Sequence, residues 1–158
     1  MSIDYVFFDF REEHFSALFR VWLISHKLSA NRSGKLQLST YKAQQLDYII
    51  KNPKAFKRAC HFLSGSTASQ NIPETLYNID NISDKPFAKK DFLTKLLQLC
   101  NMGILELVKE DTQTLVKCLI PPPSSSTEYQ SHLESQILSI KGLVTKSELV
   151  VEQLIHGE

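Results

Sequence analysis

The stretch of sequence that decides the fold is GILELVKEDTQTLVKCL, residues 103–119. Two apolar runs of equal length, residues 104–109 and 114–119, lie on either side of the polar residues 110–113. This pattern predicts a β-hairpin, because two strands that pair with each other need a short polar turn between them. Gly103 precedes the first run and is well suited to end a helix in the left-handed conformation.

The segment before this glycine predicts a helix over residues 89–102, whose apolar side chains fall on one face: Phe92, Leu93, Leu96, Leu97 and Cys100. Helix, glycine, strand, short turn and strand follow one another in the order found in a winged helix, in which the hairpin forms the wing. We therefore expect a mainly α protein with a small β-hairpin, an α+β fold in which a helical bundle carries a winged-helix-like element.

Three further helices are predicted upstream. Residues 11–29 carry large apolar side chains at spacings of three and four, which indicates one helical stripe: Phe15, Leu18, Phe19, Trp22, Leu23 and His26. Ser39 or Thr40 is the expected cap of a second helix, which ends before Pro53 because the residue before a proline avoids the α region. Asn52 then caps a third helix that runs to about residue 64. Residues 3–10 are β-branched and aromatic and predict a short strand or an apolar arm.

The run of three prolines and three serines at residues 121–126 is the one break in composition. It indicates a linker between a body of residues 1–120 and a C-terminal extension of residues 127–158. The extension predicts two helices, over 127–141 and 146–156. The second is expected to start at a capping box that joins Thr145 to Glu148. Neither helix is long enough to fold alone, so both must pack on the body or on another protein.

The net charge of +1 conceals an asymmetry. Residues 20–58 hold nine basic residues and one acidic residue, whereas residues 106–158 are acidic overall. The basic residues are either solvated helix faces or a contact for DNA or an acidic partner, and the acidic tail can also fold against them. If DNA is bound, we expect non-specific phosphate contacts from seven of these residues: Arg32, Lys35, Lys42, Lys51, Lys54, Lys57 and Arg58.

The sequence contains no pattern typical of catalysis, cofactor binding or metal binding. Phosphate-cradling glycine motifs are missing, and the histidines do not have zinc-site spacing. Three cysteines without a CxxC pair are typical of reduced thiols in the cytoplasm. No apolar run approaches the ~20 residues that span a bilayer, and the acidic start is unlike a signal peptide. We expect a cytoplasmic protein that is not an enzyme, has no cofactor and does not contact a membrane.

Large apolar side chains predict a surface for a protein partner, with core packing as the alternative for each of them. Trp and Phe are common anchors of interfaces, and the terminal helices are short and apolar. The candidates lie on the first and last helices: Phe15, Phe19, Trp22, Leu149, Leu154 and Ile155.

Two stretches resemble a known family. They are LDYIIKNPK at residues 46–54 and, about forty residues later, the leucine-rich pattern of residues 92–107 that ends in MGILEL. Together they resemble the middle component of bacterial three-component ABC-ATPase systems, the Lamassu class of anti-phage and anti-plasmid defence. The resemblance covers residues 12–120 and does not include the linker or the terminal helices.

The resemblance implies a non-catalytic accessory subunit that bridges a large SMC-like coiled-coil ATPase and an effector, often a nuclease. The alternative from the residues alone is a stand-alone winged-helix transcriptional regulator that binds DNA. Lysine dominates the basic segment, and it binds phosphate as a point charge rather than reading bases, which favours the first interpretation.

Overall fold

A computed structural model of the chain describes residues 3–65, 89–124 and 127–156, with side chains described from residue 14 in the first range and from residue 91 in the second. The predicted long connection at residues 65–88 lies almost entirely outside the described residues. The described part contains six α-helices, one 3-10 helix and two strands: α1 (Ile3–Leu28), α2 (Thr40–Lys51), α3 (Pro53–Ser64), α4 (Lys89–Asn101), β1 (Leu105–Glu110), β2 (Gln113–Cys118), α5 (Glu128–Ser139), the 3-10 helix (Lys141–Thr145) and α6 (Glu148–His156). The predicted α+β class, mainly α with a small hairpin, is confirmed.

Strands β1 and β2 form an antiparallel hairpin whose register runs from Leu105 opposite Cys118 to Glu110 opposite Gln113. The turn has two residues instead of the four predicted. Asp111 in this turn has a φ of 54°, a left-handed conformation that Asp adopts more readily than most residues. The amide of Val116 donates to the carbonyl of Leu38 at 2.8 Å, which attaches the hairpin to the start of α2. The winged-helix assignment itself stays a prediction.

Helix α4 ends as the sequence predicts, at Gly103 with a φ of 77°. The amide of Ile104 then donates to Leu99 at 3.1 Å, which closes the last turn. Its buried face is narrower than predicted: Phe92, Leu96 and Leu99 are buried, whereas Leu93 and Leu97 are exposed. A face that includes all of these residues would be wider than the contact that α4 makes with α1 and β1.

Helix α1 begins at Ile3, so the predicted strand or arm over residues 3–10 is wrong. Residues 3–28 contain no glycine or proline, and aromatic or β-branched residues cost a helix only a fraction of a kcal/mol each. The predicted stripe is only partly buried: Leu18 and Leu23 belong to the core, whereas Phe15 and His26 are exposed. Further buried residues of α1 are small or aliphatic and include Ala17, Val21, Ile24 and Leu28.

The joint between α2 and α3 agrees with the prediction in detail. Ser39 caps α2 by accepting the amide of Lys42 at 3.0 Å. Asn52 accepts the amides of Lys54 and Ala55 at 3.1 and 3.2 Å, so one side chain begins α3 immediately after α2 has ended.

Both C-terminal helices start at hydroxyl caps, and the cap of α6 is not the predicted one. Thr127 caps α5, and α6 is capped by Ser147, whose Oγ accepts the amide of Val150 at 3.2 Å. Thr145 instead donates to the carbonyl of Gly142, and Glu148 accepts a hydrogen bond from Ser39 at 2.9 Å. The predicted capping box between Thr145 and Glu148 is therefore not formed.

One hydrophobic core holds residues from both the body and the C-terminal helices. Leu23, Leu46 and Leu96 from the body belong to the same buried cluster as Ile137 and Leu143. Each of these aliphatic side chains is completely buried and contributes roughly 1.5–3 kcal/mol through the hydrophobic effect. The terminal helices thus pack on the body, one of the two expectations; the division at residues 121–126 stays a prediction.

Candidate interaction surfaces

Two of the seven predicted phosphate contacts are bound to backbone carbonyls of the C-terminal segment. Lys42 is buried, and its ammonium group donates to the carbonyls of Leu143 and Val144 at 3.4 Å and to that of Lys146. Burial lowers the pKa of Lys42, and the nearby Glu148 carboxylate acts in the opposite direction. Lys42 therefore does not lie on an exposed basic face.

Arg58 also binds backbone carbonyls of the C-terminal segment, at the other end of this segment. Its Nε donates to the carbonyl of Leu154 and its Nη2 to that of Ile155, both at 2.7 Å. These carbonyls belong to the last turn of α6, where helical partners are missing and a positive charge is favourable. The acidic tail thus folds against the basic segment, as the sequence allowed.

The other five predicted phosphate contacts are at least partly accessible. Arg32 and Lys35 are exposed in the loop after α1, where the side chain of Asn31 accepts the amides of Ser33 and Lys35 at 3.0 Å. Lys51 has a side chain that is 49% exposed and lies 4.0 Å from Asp47. Lys54 and Lys57 are half-buried on α3. The predicted set is therefore spread over a loop and two helices.

The aromatic stripe of α1 lies at the edge of the core. Phe15 is 66% exposed, whereas Phe19 and Trp22 are half-buried and pack against the core. The indole Nε1 of Trp22 donates to the carbonyl of Ile120 at 2.8 Å, which brings the end of β2 onto this face of α1.

Apolar side chains that the sequence interpretation missed lie near this contact. Leu119, Ile120 and Met102 are all exposed. The amides of Leu119 and Ile120 both donate to the carbonyl of Ile104, which keeps these residues close to the chain segment that contains Met102. The hydrogen bond from Trp22 to Ile120 joins α1 to the base of the hairpin. We use the name apolar band for six residues on these two elements: Phe15, Phe19, Trp22, Met102, Leu119 and Ile120.

The three candidates on α6 have different environments. Leu149 is 65% exposed, Leu154 is half-buried against the core, and Ile155 is buried. Only Leu149 is thus free to contact a partner with most of its side chain. Ile155 belongs to the core, which was the stated alternative for every residue of this set.

A charged cluster at the junction of α1, α2 and α4 was also missed. Arg20 Nε donates to Asp47 Oδ1 at 2.6 Å, and both side chains are largely buried. Lys51 approaches the same carboxylate, and the charges of Arg20, Lys51 and Asp47 all act on Lys95. Only the spacing of Asp47 and Lys51, four residues apart on α2, was a local signal, because Arg20 and Lys95 are 75 positions apart from each other.

The chemistry of the described side chains does not assemble into a reactive site. No three His, Cys, Asp or Glu side chains among them are grouped as metal ligands. Cys60, Cys100 and Cys118 are half-buried free thiols, and burial raises the pKa of each. A depression on α5 is lined by one helix alone, by side chains that include Glu134 and Leu138, and is open to solvent.

No protein-family model, curated protein or solved structure matches the chain significantly. Within the ranges that the structure covers, every helix is too short or too polar to cross a membrane.

Proposed function

We propose that this chain is a cytoplasmic, non-catalytic accessory subunit that bridges an SMC-like coiled-coil ATPase and an effector nuclease in an anti-phage or anti-plasmid defence complex. The observation that carries the proposal is the apolar band, which leaves large side chains in water although the chain has a core of its own. The resemblance of residues 12–120 supplies the class of partner.

The apolar band has the composition of a protein contact. Phe15 and Met102 are 66% and 61% exposed, and each gains up to roughly 1.5–3 kcal/mol when a partner buries it fully. Contiguous apolar patches on soluble chains commonly mark such contacts. We therefore assign the band to the ATPase, the larger of the two proposed partners.

A bridging subunit needs a second surface on other elements. Leu149 is exposed on α6, a helix that contacts α2 and α3, whereas the apolar band lies on α1 and at the base of the hairpin. Two apolar surfaces on different elements fit two partners, and we assign Leu149 to the contact with the effector.

The alternative function, a winged-helix regulator that reads DNA, has weaker support. The helix before the hairpin exposes Leu93 and Leu97, which have no hydrogen-bonding groups for base edges. Two of the seven expected phosphate contacts, Lys42 and Arg58, instead hold backbone carbonyls. Non-specific contact with double-stranded DNA through Arg32 and its basic neighbours is compatible with either function.

Co-purification tests the proposal. The tagged full chain is expressed together with the coiled-coil ATPase and the effector encoded beside it, and captured at low and at high salt. The triple variant Phe15→Ser/Met102→Ser/Leu119→Ser should reduce recovery of the ATPase at least about ten-fold, since it removes three exposed large side chains of the apolar band. The matched control is Tyr129→Ser/Leu138→Ser, which removes exposed apolar side chains from α5.

Two results would contradict the proposal. One is equal recovery of the ATPase by the triple variant and the control. The other is recovery of DNA alone that disappears at high salt, because phosphate contacts weaken steeply with salt whereas apolar contacts do not. The second result would favour the DNA-binding regulator. Leu149→Ser tests the second surface separately and should reduce recovery of the effector while the ATPase is retained.

A further inference from the structure

The described residues at the junction of α1, α2 and α4 carry more positive than negative charge. Arg20 and Lys51 lie 2.6 and 4.0 Å from the carboxylate of Asp47, whose charge also acts on Lys95. Asp91 is the one further acidic residue whose charge acts on Lys95. The described part of the cluster therefore keeps a net positive charge, and its cations repel one another.

Some hydrogen-bond donors of this cluster have no acceptor in the described structure. A guanidinium group has five N–H donors, and in the described part of the chain Arg20 uses only its Nε, toward Asp47. The Arg20 side chain is 13% exposed, so it is not closed off from solvent. Gln44, one turn before Asp47 on the same face of α2, has a buried Nε2 without an acceptor in the described structure. Donors thus exceed acceptors along this face.

Electrostatics at Lys95 agrees with a site that lacks an anion. Burial lowers the pKa of Lys95, and the charges of Lys51 and Arg20 lower it further. A carboxylate or phosphate placed among the three cations removes this repulsion and supplies an acceptor for the free N–H groups.

We propose that Arg20, Lys51 and Lys95 form a receptor for a carboxylate side chain, Glu or Asp, of a partner protein. The Arg20 side chain is only 13% exposed and lies below the surface. A single flexible acidic side chain can reach a mostly buried guanidinium group, whereas the phosphates of a duplex are fixed on a broad convex backbone and need exposed cations. The occupant is therefore protein rather than DNA.

The exposed leucines of α4 do not belong to this receptor. Leu93 and Leu97 are each two positions from Lys95, and residues two apart on a helix point to nearly opposite sides. The receptor is therefore defined by its charges alone. The inference rests on the proposed function in taking the anion from a protein partner.

A titration of the full chain tests the receptor. The ¹⁵N-labelled protein is titrated at low ionic strength with a hexaglutamate peptide, with the neutral hexaglutamine peptide of the same length, and with a short DNA duplex of mixed sequence. Hexaglutamate should shift the Nε–Hε resonance of Arg20, and hexaglutamine should not. Lys51→Gln/Lys95→Gln should weaken hexaglutamate binding at least about five-fold, because two charge-assisted contacts are lost.

Lys109→Gln/Lys117→Gln is the matched control, since it removes the same charge from exposed positions of the hairpin. The receptor is overturned if hexaglutamate leaves the Arg20 resonance unchanged, or if both double variants lose affinity equally. A larger effect of the duplex on that resonance overturns the choice of a protein carboxylate. No ATPase is present in this titration, so its failure leaves the accessory-subunit proposal to be decided by co-purification.

Discussion

Lys42 is a residue whose single ammonium group binds three backbone carbonyls of the C-terminal segment. Its ammonium group donates to the carbonyls of Leu143, Val144 and Lys146. Lys42→Met keeps the aliphatic stem but removes the ammonium donor from all three carbonyls, although that of Leu143 still accepts the amide of Lys146 at 3.0 Å. We expect the free energy of unfolding to fall by about 2–4 kcal/mol. Urea denaturation followed by circular dichroism measures the change.

Lys35→Met is the control for this prediction. Lys35 is exposed in the loop after α1, and its replacement should change the free energy of unfolding by no more than about 0.5 kcal/mol. Equal stabilities of the two variants would mean that the three carbonyls do not depend on Lys42.

The three thiols should react slowly in the folded chain. Burial raises the pKa of Cys60, Cys100 and Cys118, and the thiolate is the reactive form. We expect iodoacetamide at pH 8 to modify all three several-fold more slowly in the native chain than in urea, as followed by mass spectrometry. Native rates equal to those in urea would mean that the thiols are not protected.

The same thiols give a pH dependence with a definite sign. A raised pKa means that the folded chain keeps the proton after the unfolded chain has lost it, with an unfolded value near 9.0. Their contribution to stability is therefore present below pH 9 and is lost as the pH rises above it. The free energy of unfolding should fall more steeply between pH 8 and pH 10 in the native sequence than in a variant with alanine at all three positions.

At the scale of the element, the hairpin turn depends on one residue in the left-handed region. Asp111 has a φ of 54°, a conformation that costs most residues roughly 1–2 kcal/mol and a β-branched residue at least that much. Asp111→Val should lower the free energy of unfolding by about that amount, and Asp111→Gly should leave it nearly unchanged, as measured by thermal denaturation. The control is Thr112→Val, which introduces the same residue one position later. An equal loss of stability in this variant would mean that the left-handed conformation of residue 111 is not the cause.

Elements with local signals were predictable from the sequence, and their packing faces were not. Asn52 fixes a helix boundary through its side chain and Gly103 through its backbone conformation, and both signals are local, which is why both boundaries agree with the structure. The faces of α1 and α4 depend on what covers them. Leu93 and Leu97 satisfy the helical period as well as Leu96 does, and only the position of α1 decides which of them is buried.

At the scale of the whole molecule, the binding partners of the basic segment lie far away along the chain. Arg58 and the carbonyls of Leu154 and Ile155 are 96 and 97 residues apart. No local pattern distinguishes an arginine that binds a helix end from one that binds phosphate. The charge asymmetry predicted that the basic segment binds electronegative groups. Only the tertiary structure shows that two of its residues bind carbonyls of the chain's own C-terminal segment.

The shared core predicts that body and C-terminal helices unfold as one unit. Fluorescence of Trp22, the single tryptophan, reports on α1, and hydrogen exchange of residues 148–156 reports on α6. Both should give the same urea midpoint, because Ile137, Leu143 and Ile155 complete the core that α1 to α4 begin. A chain that ends at Ser124 should lose this cooperative transition, since it leaves the apolar surface beneath α5 and α6 in water. Two separate midpoints, or a truncated chain with the native midpoint, would instead establish residues 1–120 as an independent body.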